Sequence, residues 1–224
     1  GVATQSLRFN DDDNASLTRT PSSAGNRKMW TSSFWVKRTE TGDAHYLWSS
    51  YGANDGIAAI YFNSDDKIHT YYDTSGANPY GAVGDRLFRD TTNWYHIVWA
   101  VDAANTIHKI WVNNELISTD TGKYPPNYDY HMNDTQLHRF GDPAWGASSD
   151  DFDGYLAHFV HLDGQYLEPD SFGETKEGVW IPKDTSGLTF GTNGFQLEFK
   201  QTGTGTASAS TIGADTSGND NHYT

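Results

Sequence analysis

Apolar side chains recur at every second position through most of the chain, which is the period of a β-strand. The longest such stretch is NWYHIVWAVDAANTIHKIWVNNELI, residues 93–117. In its first run Tyr95, Ile97, Trp99 and Val101 share one face, and Trp94, His96, Val98 and Ala100 share the other. Both faces are largely apolar, which predicts a strand buried on two sides near the middle of a sheet. Residues 102–105 supply a turn, because Asp102 and Asn105 can bond their own backbone and tolerate left-handed geometry. The second run sets His108, Ile110 and Val112 against Ile107, Lys109 and Trp111. Asn113-Asn114 forms the next tight turn, and Leu116-Ile117 begins the return of a strand meander.

The same alternation marks shorter strands at residues 6–10, 15–19, 29–38, 46–51, 57–63, 67–72, 136–140, 152–162, 188–190 and 195–199. In residues 29–38, Trp30, Phe34 and Val36 share a face. Residues 79–88, with Gly81 and Gly84, read as a loose segment. One helical turn is predicted over residues 167–174, with Pro169 early in it. Long irregular loops are predicted at residues 118–134 and 141–151, and loops of that length in a compact domain often carry function. Many short strands, little helix and regular turn residues point to an antiparallel β-sandwich or barrel.

Composition narrows the function. The 224 residues suit one all-β domain, and 8 Trp with 13 Tyr supply a core and a surplus for the surface. A formal net charge of −14 argues against nucleic acid, since phosphate binding needs clustered Lys and Arg. Cys is absent, which removes disulfides, thiol nucleophiles and zinc ribbons. No stretch is long and apolar enough to insert in a membrane, and the first residues carry no signal-like pattern.

Several phrases, SLRFN, SFWVKR, NWYHIVWAVD with IWVNNELI, and FDGYLAHFVHLDGQYLEPDSFGE, together resemble the laminin-G-like (LamG) form of the concanavalin A-like lectin/glucanase superfamily. The wording is similar to LamG-like domains of bacteriophage and algal-virus structural proteins. The resemblance spans roughly residues 6–199 and implies an all-β, two-sheet jelly-roll sandwich with at most one or two short helical turns. Residues 1–200 would form it. The low-complexity segment 201–224 would either close the sandwich or lead into a further domain. Asn113-Asn114 stands where relatives usually place Asp-Gly.

The function implied is carbohydrate recognition or adhesion without catalysis, in a viral tail fibre or virion appendage that attaches to host surface glycan. Its setting would be the virion surface or extracellular space. Partners would be host polysaccharide, neighbouring virion proteins and copies of itself, a trimer if a fibre. The alternatives are a structural virion module that binds only protein, and a glycoside hydrolase of the same fold. A hydrolase needs paired carboxylates. Asp151/Asp153 and Glu168/Asp170 have the i,i+2 spacing, but no three-acid strand pattern is present.

Sugar binding calls for flat rings beside hydrogen-bonding groups. Tyr124, Asn127, Tyr128 and Tyr130 in one loop and Trp145 in the next have that composition, whereas Trp94, Trp99, Trp111 and Phe34 read as core. His158 and His161, three apart on a strand, point to opposite faces and cannot share a zinc ion. Calcium takes oxygen ligands. Asp142, Asp150, Asp151 and Asp153 are its candidates, with Asp102 elsewhere and the run Asp11-Asp12-Asp13 as a second cluster.

Overall fold

The structure, a computed structural model, describes residues 3–52, 56–73, 79–117, 124–146 and 149–224. Residues 118–123 and 147–148 of the two long predicted loops lie outside them. In chain order the strands are β1 (Leu7–Phe9), β2 (Leu17–Arg19), β3 (Met29–Arg38), β4 (His45–Gly52), β5 (Gly56–Phe62), β6 (Lys67–Asp73), β7 (Pro79–Leu87) and β8 (Tyr95–Asp102). They continue with β9 (Ile107–Val112), β10 (Glu115–Leu116), β11 (Leu137–Phe140), β12 (Gly154–Asp163), β13 (Gly173–Lys176), β14 (Val179–Pro182) and β15 (Phe195–Leu197). The first sheet has the order β1-β12-β3-β8-β9-β10, with β15 also on β12, and the second has the order β2-β11-β4-β5-β6-β7. Every neighbouring pair of these strands runs antiparallel, so the fold is a two-sheet sandwich. Among the described residues there is no α-helix, and no helix is long and apolar enough to cross a membrane.

Alternation explains the layers. The inward residues Trp30, Phe34 and Val36 of β3 and Ile97, Trp99 and Val101 of β8 are fully buried against Trp48, Ile60, Phe62, Tyr72 and Phe140 of the second sheet. Trp30 and Trp99 meet edge to face at 5.5 Å, the geometry ring quadrupoles favour. The Trp99 indole N–H donates to the Tyr72 hydroxyl at 3.1 Å. The opposite face of β8 joins a second apolar cluster. Val98, Ala100, Trp111, Val160 and Leu162 are covered there by Phe172 and Phe190. That cover is why β8 is apolar on both faces.

Local chemistry sets the turns. Asn113 and Asn114 have φ of 49° and 69°, the left-handed pair a tight hairpin turn requires, so Asn serves where Asp-Gly is usual. At the preceding turn Asp102 accepts from the Asn105 backbone N–H at 3.3 Å, and Thr106 takes the left-handed position. The predicted helical turn is a 3-10 turn at Pro169–Ser171. Residues 188–190 form no strand; Leu188 and Phe190 instead pack onto the outer cluster. The loose segment 79–88 is largely β7, whose glycines permit close packing. A Cβ on Gly81 would stand 2.0 Å from the Thr70 carbonyl oxygen.

In the segment 201–224, Tyr223 is fully buried in the main core and Thr224 exchanges backbone hydrogen bonds of 2.7 and 3.0 Å with Thr18. The Asp215 carboxylate holds this segment in shape by accepting from the N–H groups of Gln196, Ser217 and Asn221 at 2.8–2.9 Å.

Candidate functional site

The second sheet turns a row of aromatic side chains away from the core. Tyr61 on β5 stands opposite Tyr46 on β4 and His69 on β6, and Tyr71 follows His69 on the same face. The Tyr46 and Tyr61 rings stack at 4.3 Å and 11°, and Tyr61 meets His69 at 4.8 Å. The Tyr61 hydroxyl and His69 Nδ1 share a hydrogen bond. Trp145 extends the row, its ring edge-on to Tyr46 at 4.9 Å and 6.3 Å from Tyr51. Tyr51, Tyr61, His69, Tyr71 and Trp145 are half-buried, each keeping part of its ring at the surface. Burial raises the Tyr61 phenol to about 12 and pushes Tyr46 up further, so both hydroxyls stay protonated at neutral pH. Neutral hydroxyls can donate and accept hydrogen bonds.

The other predicted loop turns its rings inward. Tyr130 is fully buried, 5.5 Å from Trp30 and 4.5 Å from Tyr72 by ring centroids, with its hydroxyl 3.2 Å from His108 Nε2. It is a core residue and not a stacking platform. Tyr124 lies flat on His108 at 3.6 Å, and Tyr128 packs edge-on against Tyr130 at 5.2 Å. Arg27 pins the loop by donating to the carbonyls of Tyr130 and Asp129 at 2.6 and 3.0 Å. Asn127 is exposed, adopts φ 53° and accepts from Lys28 at 3.1 Å. The tyrosines of this loop therefore complete the sandwich, whereas Trp145 sits on its outside.

The predicted calcium ligands are divided as well. Asp142 forms an ion pair with Arg139. The Asp150 backbone carbonyl accepts from Tyr46 N–H at 3.0 Å, and its carboxylate accepts from Ser149 at 3.1 Å. Asp153 meets Arg8 at 2.5 Å and Thr39 at 2.6 Å. Oxygens of Asp11, Glu40 and Asp153 nevertheless lie within 4.8 Å of one another. Beside them opens a hollow of about 230 Å³ whose walls include Asp12, Asp43 and Asp151. Asp11 is on the β1–β2 connection, Glu40 on β3–β4, and Asp151 and Asp153 on β11–β12; each of these connections crosses from one sheet to the other.

One Asp151 carboxylate oxygen is buried without a hydrogen-bond partner. Burial, then the charge and hydrogen bond of Asp142, raise the Asp151 carboxyl to about 6. An all-oxygen donor set with an unsatisfied buried carboxylate fits a hard divalent cation. The residues placed to hold one are Asp11, Glu40 and Asp153, with Asp151 on the wall of the hollow beside them; of the predicted group this set keeps Asp153 and leaves out Asp142 and Asp150.

A family profile described as concanavalin A-like lectin/glucanases superfamily, of laminin-G type, matches residues 9–165. The chain belongs to this superfamily. Among solved structures of similar fold is a putative carbohydrate binding protein from Bacteroides ovatus, 13% identical, TM-score 0.66, covering 97% of this chain and 56% of that one. A heptameric SAP-like pentraxin from Limulus polyphemus is 14% identical, TM-score 0.55, covering 75% and 79%. The CBM40 of a Ruminococcus gnavus IT-sialidase is 16% identical, TM-score 0.51, covering 69% and 95%. No curated protein sequence matches the chain.

This concanavalin A-like domain carries one further cavity, which residue patterns did not indicate. On the outer face of the first sheet, Trp35, Trp94 and Trp180 surround a groove of about 410 Å³. Trp94 thus lines a surface groove and is not a core residue, contrary to its reading from alternation. Its position immediately before β8 places it beyond the cover made by Phe172 and Phe190. The rings that form the groove come from residues far apart in sequence, so no local pattern could reveal it.

Proposed function

We propose that the domain is a non-catalytic carbohydrate-recognition module whose glycan lies on the outer face of the second sheet. The observation that carries this is the continuous row Trp145, Tyr46, Tyr61, His69 and Tyr71 across three neighbouring strands. Ring faces and edges offer apolar surface for sugar C–H groups, and the phenol and imidazole tips take hydroxyls. Strands about 4.8 Å apart bring successive rings within the reach of one sugar chain. The finer reading is attachment of a virion appendage to host surface polysaccharide; the viral resemblance of the sequence supports it. One such site binds weakly, with a Kd of about 1 mM to 1 μM, so several copies would act together. Calcium held by Asp11, Glu40 and Asp153 would brace the neighbouring connections and is part of the proposal.

The test is a glycan array with the purified domain, alongside Trp145→Ala and Tyr71→Ala variants. Each substitution should weaken binding about tenfold, the equivalent of one lost stacking contact near 1.4 kcal/mol. Both should melt within a few degrees of the parent, on the order of what a loss below 1 kcal/mol produces. Unchanged binding in both variants would refute this face as the site. Absence of any glycan ligand would favour a module that contacts only protein.

A further inference from the structure

We infer that the tryptophan groove on the outer face of the first sheet is a second, independent carbohydrate site that takes a neutral sugar residue. It lies on the opposite sheet from the row of Tyr46, Tyr61 and Tyr71. Its walls include residues 3–6 and 180–182, outside the stretch 9–165 that matches the family. Part of the groove is therefore built by segments outside the matched stretch.

The rings are fixed before any ligand arrives. The Trp180 indole N–H donates to His96 Nδ1 at 2.9 Å, and His96 Nε2 bonds the Ser33 hydroxyl at 2.8 Å. Because Nδ1 accepts, the imidazole proton sits on Nε2, and the chain Trp180, His96, Ser33 is satisfied throughout. Trp35 stacks on the same imidazole at 4.9 Å and 24°. Behind Trp180 the backbone is close enough that a Cβ on Gly173 would lie 2.3 Å from its ring. Rings held this way lose little freedom on binding, which favours affinity.

Three features give the ligand class. The volume, about 410 Å³, lies in the range of small-ligand sites. No ionisable side chain lines the groove among the described residues, so a charged ligand would be desolvated without a counter-ion. The Trp35 indole N–H is buried with no partner, while Thr4, Gln5 and Ser6 form a polar wall. Indole faces beside a hydroxyl-bearing wall suit a molecule with apolar C–H faces and a rim of hydroxyls.

The experiment is a titration followed by intrinsic tryptophan fluorescence, with cellohexaose, maltohexaose and mannohexaose as neutral probes and 1-octanol as the apolar probe. At least one oligosaccharide should give a saturable change. Trp94→Ala should weaken it about tenfold or more, as loss of a stacking ring does. Trp35→Phe, which keeps a ring but reduces the aromatic surface along the groove, should weaken it about threefold. Leu116→Ser, an exposed position on the edge strand β10 outside both faces, should leave it unchanged. This outcome supports the groove whether or not the other face binds glycan. Three results would overturn it: no saturable response to any sugar, a response lost in Trp145→Ala but intact in Trp94→Ala and Trp35→Phe, or a response to 1-octanol alone.

Discussion

The outer faces of the two sheets are built in opposite ways. On the first, the outward residues of β8, β9 and β12 are Val98, Ala100, Trp111, Val160 and Leu162, and Phe172 and Phe190 seal them to 7% exposure or less. On the second, the outward residues of β4, β5 and β6 include Tyr61, His69 and Tyr71, which stay half-buried. A large contiguous aliphatic patch is rarely left in water, so the first face needs its cover. Tyrosine and histidine combine an apolar body with a polar tip and can stand at a wet surface. The comparison shows that aromatic content does not locate a site. What matters is the tip of each side chain and the strand neighbours that turn it in or out. Tyr130 and Tyr61 are the same residue type, one sealed in the core and one on the outside.

The largest expected effect falls on the covered face. Phe172→Ala should destabilise the fold by about 3–5 kcal/mol, as large-to-small core changes do. Tyr71→Ala on the open face should cost less than about 1 kcal/mol. Urea unfolding of both variants measures the contrast, and equal losses would break the comparison.

The acidic cluster comes next, because its residues lie on connections that join the two sheets. If Asp11, Glu40 and Asp153 bind calcium, the ion at a hundred times its Kd should stabilise the domain by about 2.7 kcal/mol. Melting curves with Ca²⁺ and with EDTA test this, and Glu40→Gln should shrink the difference. A melting temperature indifferent to millimolar Ca²⁺ would leave these acids as turn residues.

The pH dependence separates the two sheets by sign. His96 on the first sheet is held down to about 3, mainly by burial and then by His158. The folded protein keeps this ring neutral while the unfolded chain protonates it near 6.5. Its stabilisation is therefore present above 6.5 and declines as the pH falls towards 3, by about 1.4 kcal/mol per pH unit. Tyr61 on the second sheet has the reverse sign. Its phenol is raised to about 12 by burial, so its contribution is present below 10 and is lost as pH rises through 12. Equilibrium unfolding across pH should show His96→Gln flattening the acid limb alone and Tyr61→Phe the alkaline limb alone.

Much of the sandwich was legible because alternation reports directly on burial. The two apolar faces of β8 predicted its interior place between β3 and β9, and Asn113-Asn114 predicted the tight turn that follows. β7 was missed because its glycines, needed for close approach to β6, read as loop. At the candidate site, Trp145 was found by its loop context, but Tyr46, Tyr61 and Tyr71 were not, since alternation alone cannot say which face of a strand stays wet. The acidic cluster was half legible. The run at Asp11 and the pair Asp151 and Asp153 were visible, but their meeting with Glu40 depends on three crossovers that no local pattern encodes. The groove needed rings from β3, from just before β8 and from β14 at once.

The pairing of the first strands bears on how the domain is made. Arg8 contacts the carbonyl of Gly154, 146 residues away, and Thr18 contacts Thr224, 206 residues away. β1 and β2 are made well before the strands that flank them, β12 and β11. At about 5–20 residues per second, roughly ten to forty seconds of synthesis separate Thr18 from Thr224. Contacts of such long range also slow spontaneous refolding, to about milliseconds to seconds even in small all-β domains. Until β11 and β12 follow, β1 and β2 stand open to any other extended chain, and crowded nascent copies would meet one another at this N-terminal edge.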